Sequence, residues 1–135
     1  MKSCQTTKVL GFGDADPAGV VFYPRLFALA HEAVEELIRQ SPVGWESWFA
    51  SPRHAAPIRH AEAEFFRPMP AGATLSVHAM AEKTGATSVV FAVEFRDGSG
   101  RCAARVRTVH VLVDRVTGRP VPLPPEWRAA FGLPG

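Results

Sequence analysis

Two carboxylates stand one residue apart in the stretch "GFGDADPAGVVFYP", residues 11–24. They are Asp14 and Asp16, and an apolar helical pattern begins directly after them. The first-turn N–H groups of a helix have no intrahelical partners. They point outward and favour negative charge. A carbonyl oxygen that gathers charge during acyl transfer would be stabilised at such a point. Pro24 has no N–H, so the donors expected there are the backbone N–H of Tyr23 or of a close neighbour. A nearby carboxylate can attack the carbonyl or activate a water. A thioester suits this arrangement, because thiolate leaves readily and needs little acid assistance; one carboxylate then suffices. Aspartates before a helix also act as caps or turn formers, worth about 1 kcal/mol. The local residues leave both roles open.

Other chemistries fail on spacing. Read as a calcium loop starting at Asp14, the fifth position would be Ala18 and the twelfth, which must be a bidentate glutamate, would be Arg25. "GFG" before "DADP" is no dinucleotide fingerprint, since a third glycine and a helix in register are missing. Ser99 in "DGSG" sits in a hairpin turn and lacks the strand-to-helix elbow of a hydrolase serine. The five histidines (31, 54, 60, 78 and 110) show no short ligand spacing. His60 and His78 fall on strands expected to be neighbours, which is the one arrangement that would suit a metal.

The elements that must position the aspartates follow from periodicity. Residues 6–12 read as a short strand and 13–22 as a loop. A helix is expected from Pro24 to Gln40. At 100° per residue, Leu26, Phe27, Leu29, Ala30, Ala33, Val34, Leu37 and Ile38 share one half of the wheel. Glu32, Glu35, Glu36 and Arg39 take the other, with His31 on the border. So wide an apolar face belongs deep against a sheet. Pro24 suits the first turn, where a missing N–H costs nothing. Residues 41–55 read as a connector with a helical turn. Four strand-like runs follow at 57–66, 73–81, 87–95 and 103–114, with a slip in alternation near Arg105 and Arg107 that suggests a bulge. The links "PMPAG", "KTGA" and "DGSG" read as hairpins. A short helix is expected at 125–131 in the proline-rich tail. The order is strand, long helix, then four antiparallel strands: an α+β fold with one sheet curved around one helix.

Bulk properties agree. The 135 residues suit one domain, 1–135, with one core. Net charge is +2 with scattered arginines, where nucleic-acid binding would want a basic stripe. No apolar run approaches a membrane span. Cys4 and Cys102 form neither a metal motif nor a disulfide framework, and the N-terminal residues lack the apolar run of a signal peptide. A cytoplasmic setting is expected, with no nucleic-acid or membrane partner.

"FGDADPAGVVFYPRLF" (12–27) resembles the signature of the 4-hydroxybenzoyl-CoA thioesterase family of hotdog-fold proteins. Its pattern is Asp-x-Asp-x-x-Gly-Val/Ile-Val, then an aromatic residue and the central helix. "HEAVEELI" (31–38), "PIRHAEAEFFRPMPAGATLSV" (57–77) and "TVHVLVDRVTGRPVPLPPEW" (108–127) are similar to segments of its 1,4-dihydroxy-2-naphthoyl-CoA thioesterase branch. The resemblance implies a helix wrapped in an antiparallel sheet. It implies homodimers joined edge to edge, or homotetramers, with active sites at the dimer interface. It implies hydrolysis of an aromatic acyl-CoA without metal or redox cofactor. Asp16 is then the catalytic carboxylate and the Tyr23 N–H the group that polarises the carbonyl. Asp14 holds the loop, and Gly19 supplies an unusual backbone angle or a close substrate approach. Val20, Pro24, His31 and His60 are the expected substrate contacts.

The sequence departs from the family pattern at the CoA phosphates. Some members carry a basic cluster on a later turn and strand. Here that region reads "EKTGATS", with Lys83 alone, so other cations such as Arg53, Arg59 or Arg67 must serve, or arginines of a neighbouring subunit. Alternatives stay open at several positions. His31 suits a partly buried structural role as well as a substrate contact, and His60 suits the subunit interface. Trp45, Trp48 and Phe49 suit either an acyl pocket or a core cap. The competing functions are a non-catalytic acyl-CoA binder, a structural oligomer, and a thioesterase for aliphatic chains.

Overall fold

The computed structural model describes residues 2–132; the last three residues of the proline-rich tail lie outside the described residues. The long helix, α1, spans Tyr23–Gln40 and buries Leu26, Leu29, Ala30, Ala33, Val34, Leu37 and Ile38. These residues form the expected stripe. Burying each large side chain is worth about 1.5–3 kcal/mol, so the stripe fixes the helix against the sheet.

That sheet has five antiparallel strands: β1 (Ser3–Val9), β3 (Ile58–Phe65), β4 (Thr74–Thr84), β5 (Ser88–Arg96) and β6 (Cys102–Val111). Their spatial order is β1-β4-β5-β6-β3. Leu75, Val77 and Ala79 of β4, Phe91 and Phe95 of β5, and Val106 of β6 join α1 in one core. Beside it lie a short helix α2 (Gly44–Phe49), a two-residue pair β2 (His54–Ala55) with β7 (Val113–Asp114), and a final helix α3 (Pro125–Phe131). There the rings of Trp48 and Trp127 stack at 4.7 Å, with Phe91 and Phe131 edge-on to Trp48.

The α+β expectation of one sheet around one helix is met, with corrections in detail. The first strand ends at Val9, because residues 12–14 turn into a 3-10 helix. "PMPAG" is not a hairpin: β3 crosses over to pair with β6, while β4 lies between β1 and β5. His60 on β3 and His78 on β4 therefore have two strands, β5 and β6, between them and are not on neighbours. Arg105 and Arg107 carry no bulge. They pair in register with Glu64 and Glu62, and the alternation around them is regular. The register shifts fall instead at Ile58/His60, Ala81/Lys83 and Phe95/Arg96.

β3 is an edge strand of mostly exposed residues. Ile58, Phe65 and neighbouring Phe66 leave large apolar surfaces open beside it.

Candidate active site at the N-terminus of α1

The loop before α1 is tied together by its own backbone. The Asp16 N–H donates to Val20 O at 2.9 Å, and the Gly19 N–H donates to Asp16 O at 2.9 Å. Gly19 has φ +81°, a left-handed conformation that side chains resist. A Cβ there would meet nothing within 4 Å, so the backbone angle, not crowding, requires glycine. The loop is strapped to the segment after β3: the Val21 N–H donates to Met69 O, and the Ala71 N–H to Gly19 O.

The two aspartates differ in what holds them. Asp14 is 7% exposed. Its Oδ2 accepts the Gly11 N–H at 2.8 Å and its Oδ1 the Arg25 Nε–H at 2.7 Å, with Lys8 Nζ at 3.6 Å. The Arg25 bond, then the Gly11 N–H, hold its carboxyl below the usual range. Both oxygens are occupied, so Asp14 is an anchor. Asp16 is half-buried, and its Oδ1 accepts the Ala18 N–H at 2.8 Å in a tight turn. Its Oδ2 has no hydrogen-bond donor among the described residues. Arg25 and Gly11 escaped the sequence reading, although Arg25 lies one helical turn from Phe22 and carries the only charge in the first turn.

The helix start narrows the choice of donor. Phe22 caps α1 without a side-chain hydrogen bond. Pro24 has no N–H, and the Arg25 N–H returns to Phe22 O at 2.8 Å. The Tyr23 N–H makes no hydrogen bond among the described residues, and Tyr23 is exposed. One outward backbone donor thus stands at the positive end of an 18-residue helix.

Of the expected site residues, Asp16, Gly19, Val20, Tyr23 and Pro24 come together here. Val20 also forms one wall of a groove of about 370 Å³ with Phe65, Phe66 and Met69. His31 does not join them in the same protomer. It lies eight residues along α1, roughly 12 Å at 1.5 Å per residue. It lines another cavity, of about 400 Å³, with Trp48, Phe49, Ile58 and His110. Its Nε2 lies 3.1 Å from Glu35 Oε1, and its ring meets Phe49 edge-on. His60 is exposed on β3, with Nε2 3.6 Å from Glu62. Trp48 belongs to the core at 3% exposure and borders the His31 cavity from within, alongside the more exposed Phe49. Among the described residues no three His, Cys, Asp or Glu side chains gather as a metal site.

A five-stranded antiparallel sheet wrapped on one long helix is a hotdog-type α+β architecture. Residues 10–131 match the model of the thioesterase-like superfamily. The 1,4-dihydroxy-2-naphthoyl-CoA hydrolase of Gloeothece citriformis is 32% identical over 127 residues, covering 90% of this chain and 89% of that one. That of Synechococcus elongatus is 32% identical, covering 92% and 91%. The crystal structure of a 1,4-dihydroxy-2-naphthoyl-CoA thioesterase from Synechocystis superposes with a TM-score of 0.86 at 25% identity, covering 96% and 95%. The chain belongs to the thioesterase-like superfamily, and its expected standing as a thioester hydrolase agrees with that membership.

Proposed function

We propose that this protein hydrolyses an aromatic acyl-CoA to the free acid and CoA, with Asp16 as the reacting carboxylate. The observation that carries this reading is that, among the described residues, a carboxylate oxygen has no donor (Asp16 Oδ2) and a backbone N–H has no acceptor (Tyr23), the first in the loop that leads into α1 and the second at its first residue. The thioester oxygen takes the Tyr23 N–H and gathers negative charge against the helix dipole. Asp16 then either attacks the carbonyl carbon, expelling the CoA thiolate and leaving an anhydride for water to open, or takes a proton from the attacking water. Both routes use the same atoms. The aromatic substrate class is supported by relatives that bear 1,4-dihydroxy-2-naphthoyl-CoA hydrolase names over most of the chain.

The acting unit in this reading is a homodimer, alone or paired into a tetramer. Its support is the open β3 edge with Ile58, Phe65 and Phe66 exposed. An unpaired, apolar edge invites a second strand. Antiparallel pairing of two β3 strands about a two-fold sets the Ile58 end of one against the Phe65 end of the other. The His31 cavity of one protomer then adjoins the Asp16 loop of its partner, and the aromatic ring lies there against Phe49. His60 lies along the joined edge. Cys4 and Cys102 are free thiols, which suits a reducing cytoplasm where CoA esters occur. Among the described residues no helix is long and apolar enough to cross a membrane.

The test is release of CoA thiol from a panel of aromatic and aliphatic acyl-CoAs, with Asp16→Asn alongside. Aromatic turnover that vanishes in the variant is expected. A preference for aliphatic esters would change the substrate class, and turnover indifferent to Asp16 would remove the mechanism. Sedimentation of the wild type should give a dimer or tetramer; a monomer with full activity would refute the shared site.

A further inference from the structure

We infer that Arg67 holds the phosphate-bearing end of CoA and is the residue that makes this site select CoA esters over smaller thioesters. The inference rests on the acyl-CoA reading above.

CoA joins an uncharged pantetheine arm to a diphosphate and a ribose phosphate. A site for it needs an apolar run leading from the reacting carbonyl, then a cation. The groove beside the Asp16 loop has that form. Val20, Phe65, Phe66 and Met69 wall it, and Arg67 is the one charged residue lining it. Val20 links this groove to the chemistry, because its carbonyl accepts the Asp16 N–H.

Arg67 is also fixed in place. The Phe66 and Arg67 N–H groups both donate to Ala103 O, at 2.8 and 3.0 Å. Pro68 restricts the preceding residue to extended backbone. Two residues further on, Met69 O takes the Val21 N–H. The root of the arginine is thus held by β6 on one side and by the catalytic loop on the other.

Charge accounting singles it out. The cations beside the loop, Lys8 of β1 and Arg25 of α1, are both engaged with Asp14. Arg67 is exposed and has no carboxylate partner among the described residues. Arg53, Arg59 and Lys83 do not line this groove. A guanidinium matches phosphate oxygens two at a time, with greater strength than a neutral donor.

The experiment compares one aromatic acid as its CoA ester and as its N-acetylcysteamine ester, which lacks every phosphate. Arg67→Gln should raise KM for the CoA ester about tenfold, the loss of one charged hydrogen-bonded contact. It should leave kcat within about twofold and KM for the truncated ester unchanged. Arg67→Lys should recover part of the loss, and added salt should raise KM for the CoA ester more in wild type than in Arg67→Gln. Equal changes for both esters, or an unchanged KM for the CoA ester, would overturn the assignment while leaving the hydrolase reading intact. A larger effect from Arg59→Gln would overturn it too. A wild type that cleaves neither ester would end the hydrolase reading and this inference with it.

Discussion

Two regions of this molecule hold polar groups in opposite ways. At the N-terminus of α1 (Tyr23–Gln40) Asp16 is half-buried and Tyr23 exposed, and Asp16 Oδ2 has no hydrogen-bond donor among the described residues. In the aromatic cluster beside α2 (Gly44–Phe49), His110 is 3% exposed between Trp48 and Phe91 and has a partner at each nitrogen. Ala56 O can only accept, so Nδ1 carries the proton, at 3.1 Å; Nε2 then accepts from the Thr108 hydroxyl at 3.3 Å. Burial pushes the His110 pKa down to about 4. Strongly perturbed titration often marks chemistry. Here it marks a buried group with a partner at each nitrogen, which borders the His31 cavity without a free position to offer, and the proposed chemistry sits where a carboxylate is half satisfied. The comparison shows that a strong pKa shift can come from burial alone, so the proposed role of Asp16 rests on its open hydrogen-bonding position.

The largest test of that contrast is Asp16→Asn. It should lower kcat by about a thousandfold and leave the urea midpoint unchanged, because the amide oxygen can still accept the Ala18 N–H. A large stability loss would make Asp16 a structural turn former and erase the difference between the regions.

His110 should show the reverse: a stability effect with little on chemistry. Its folded pKa of about 4 lies below the unfolded value of 6.5. The unfolded chain therefore binds the proton first as pH falls. The His110 contribution is fully present above 6.5, declines between 6.5 and about 4, and is gone below; its full size is about 3 kcal/mol. Urea unfolding at pH 7 and pH 4.5 should show a decline that is smaller in His110→Gln than in wild type. Equal declines would mean that the buried ring is not the group responsible.

Asp14→Asn comes next, at about 2 kcal/mol, because it weakens the charged bond to Arg25 and the contact with Lys8. Its activity loss should be smaller than that of Asp16→Asn and should come with the stability loss. Two aspartates in one loop would then separate by which measurement moves.

How much of this was legible in the sequence depends on distance along the chain. The buried stripe of α1 was, because Leu26 to Ile38 repeat within one element. So was the placement of Asp16 in the loop ahead of Tyr23 and Pro24 at the start of α1, since a loop and the helix it enters are consecutive. The place of β3 (Ile58–Phe65) was not. Nothing in "FRPMPAG" states that the chain crosses the sheet to β6 (Cys102–Val111), and reading the link as a hairpin set His60 beside His78. The Asp14–Arg25 bond was hidden for a similar reason: only the folded loop turns Arg25 back toward the carboxylate. Trp48 stayed ambiguous until α3 (Pro125–Phe131), far along the chain, supplied Trp127 to stack on it.

The smallest prediction sharpens the loop side of the comparison. Gly19 and Gly13 flank the aspartate pair, and neither would crowd a Cβ within 4 Å. They differ in backbone: Gly19 has φ +81°, whereas Gly13 is not among the residues with positive φ. Alanine at 19 must adopt the left-handed region or pull the turn open, at a cost of about 1 kcal/mol. Opening the turn would disturb the Gly19 N–H bond to Asp16 O and the Ala71 N–H bond to Gly19 O, and so shift the Asp16 side chain. Gly19→Ala should therefore lower kcat several-fold, whereas Gly13→Ala should change neither stability nor kcat measurably. Thermal melts and thiol-release assays on both variants check this. Equal behaviour of the two would show that the loop tolerates either geometry, and that the position of Asp16 is set by the bonds of Val21 to Met69 and of Gly19 to Ala71 rather than by the turn.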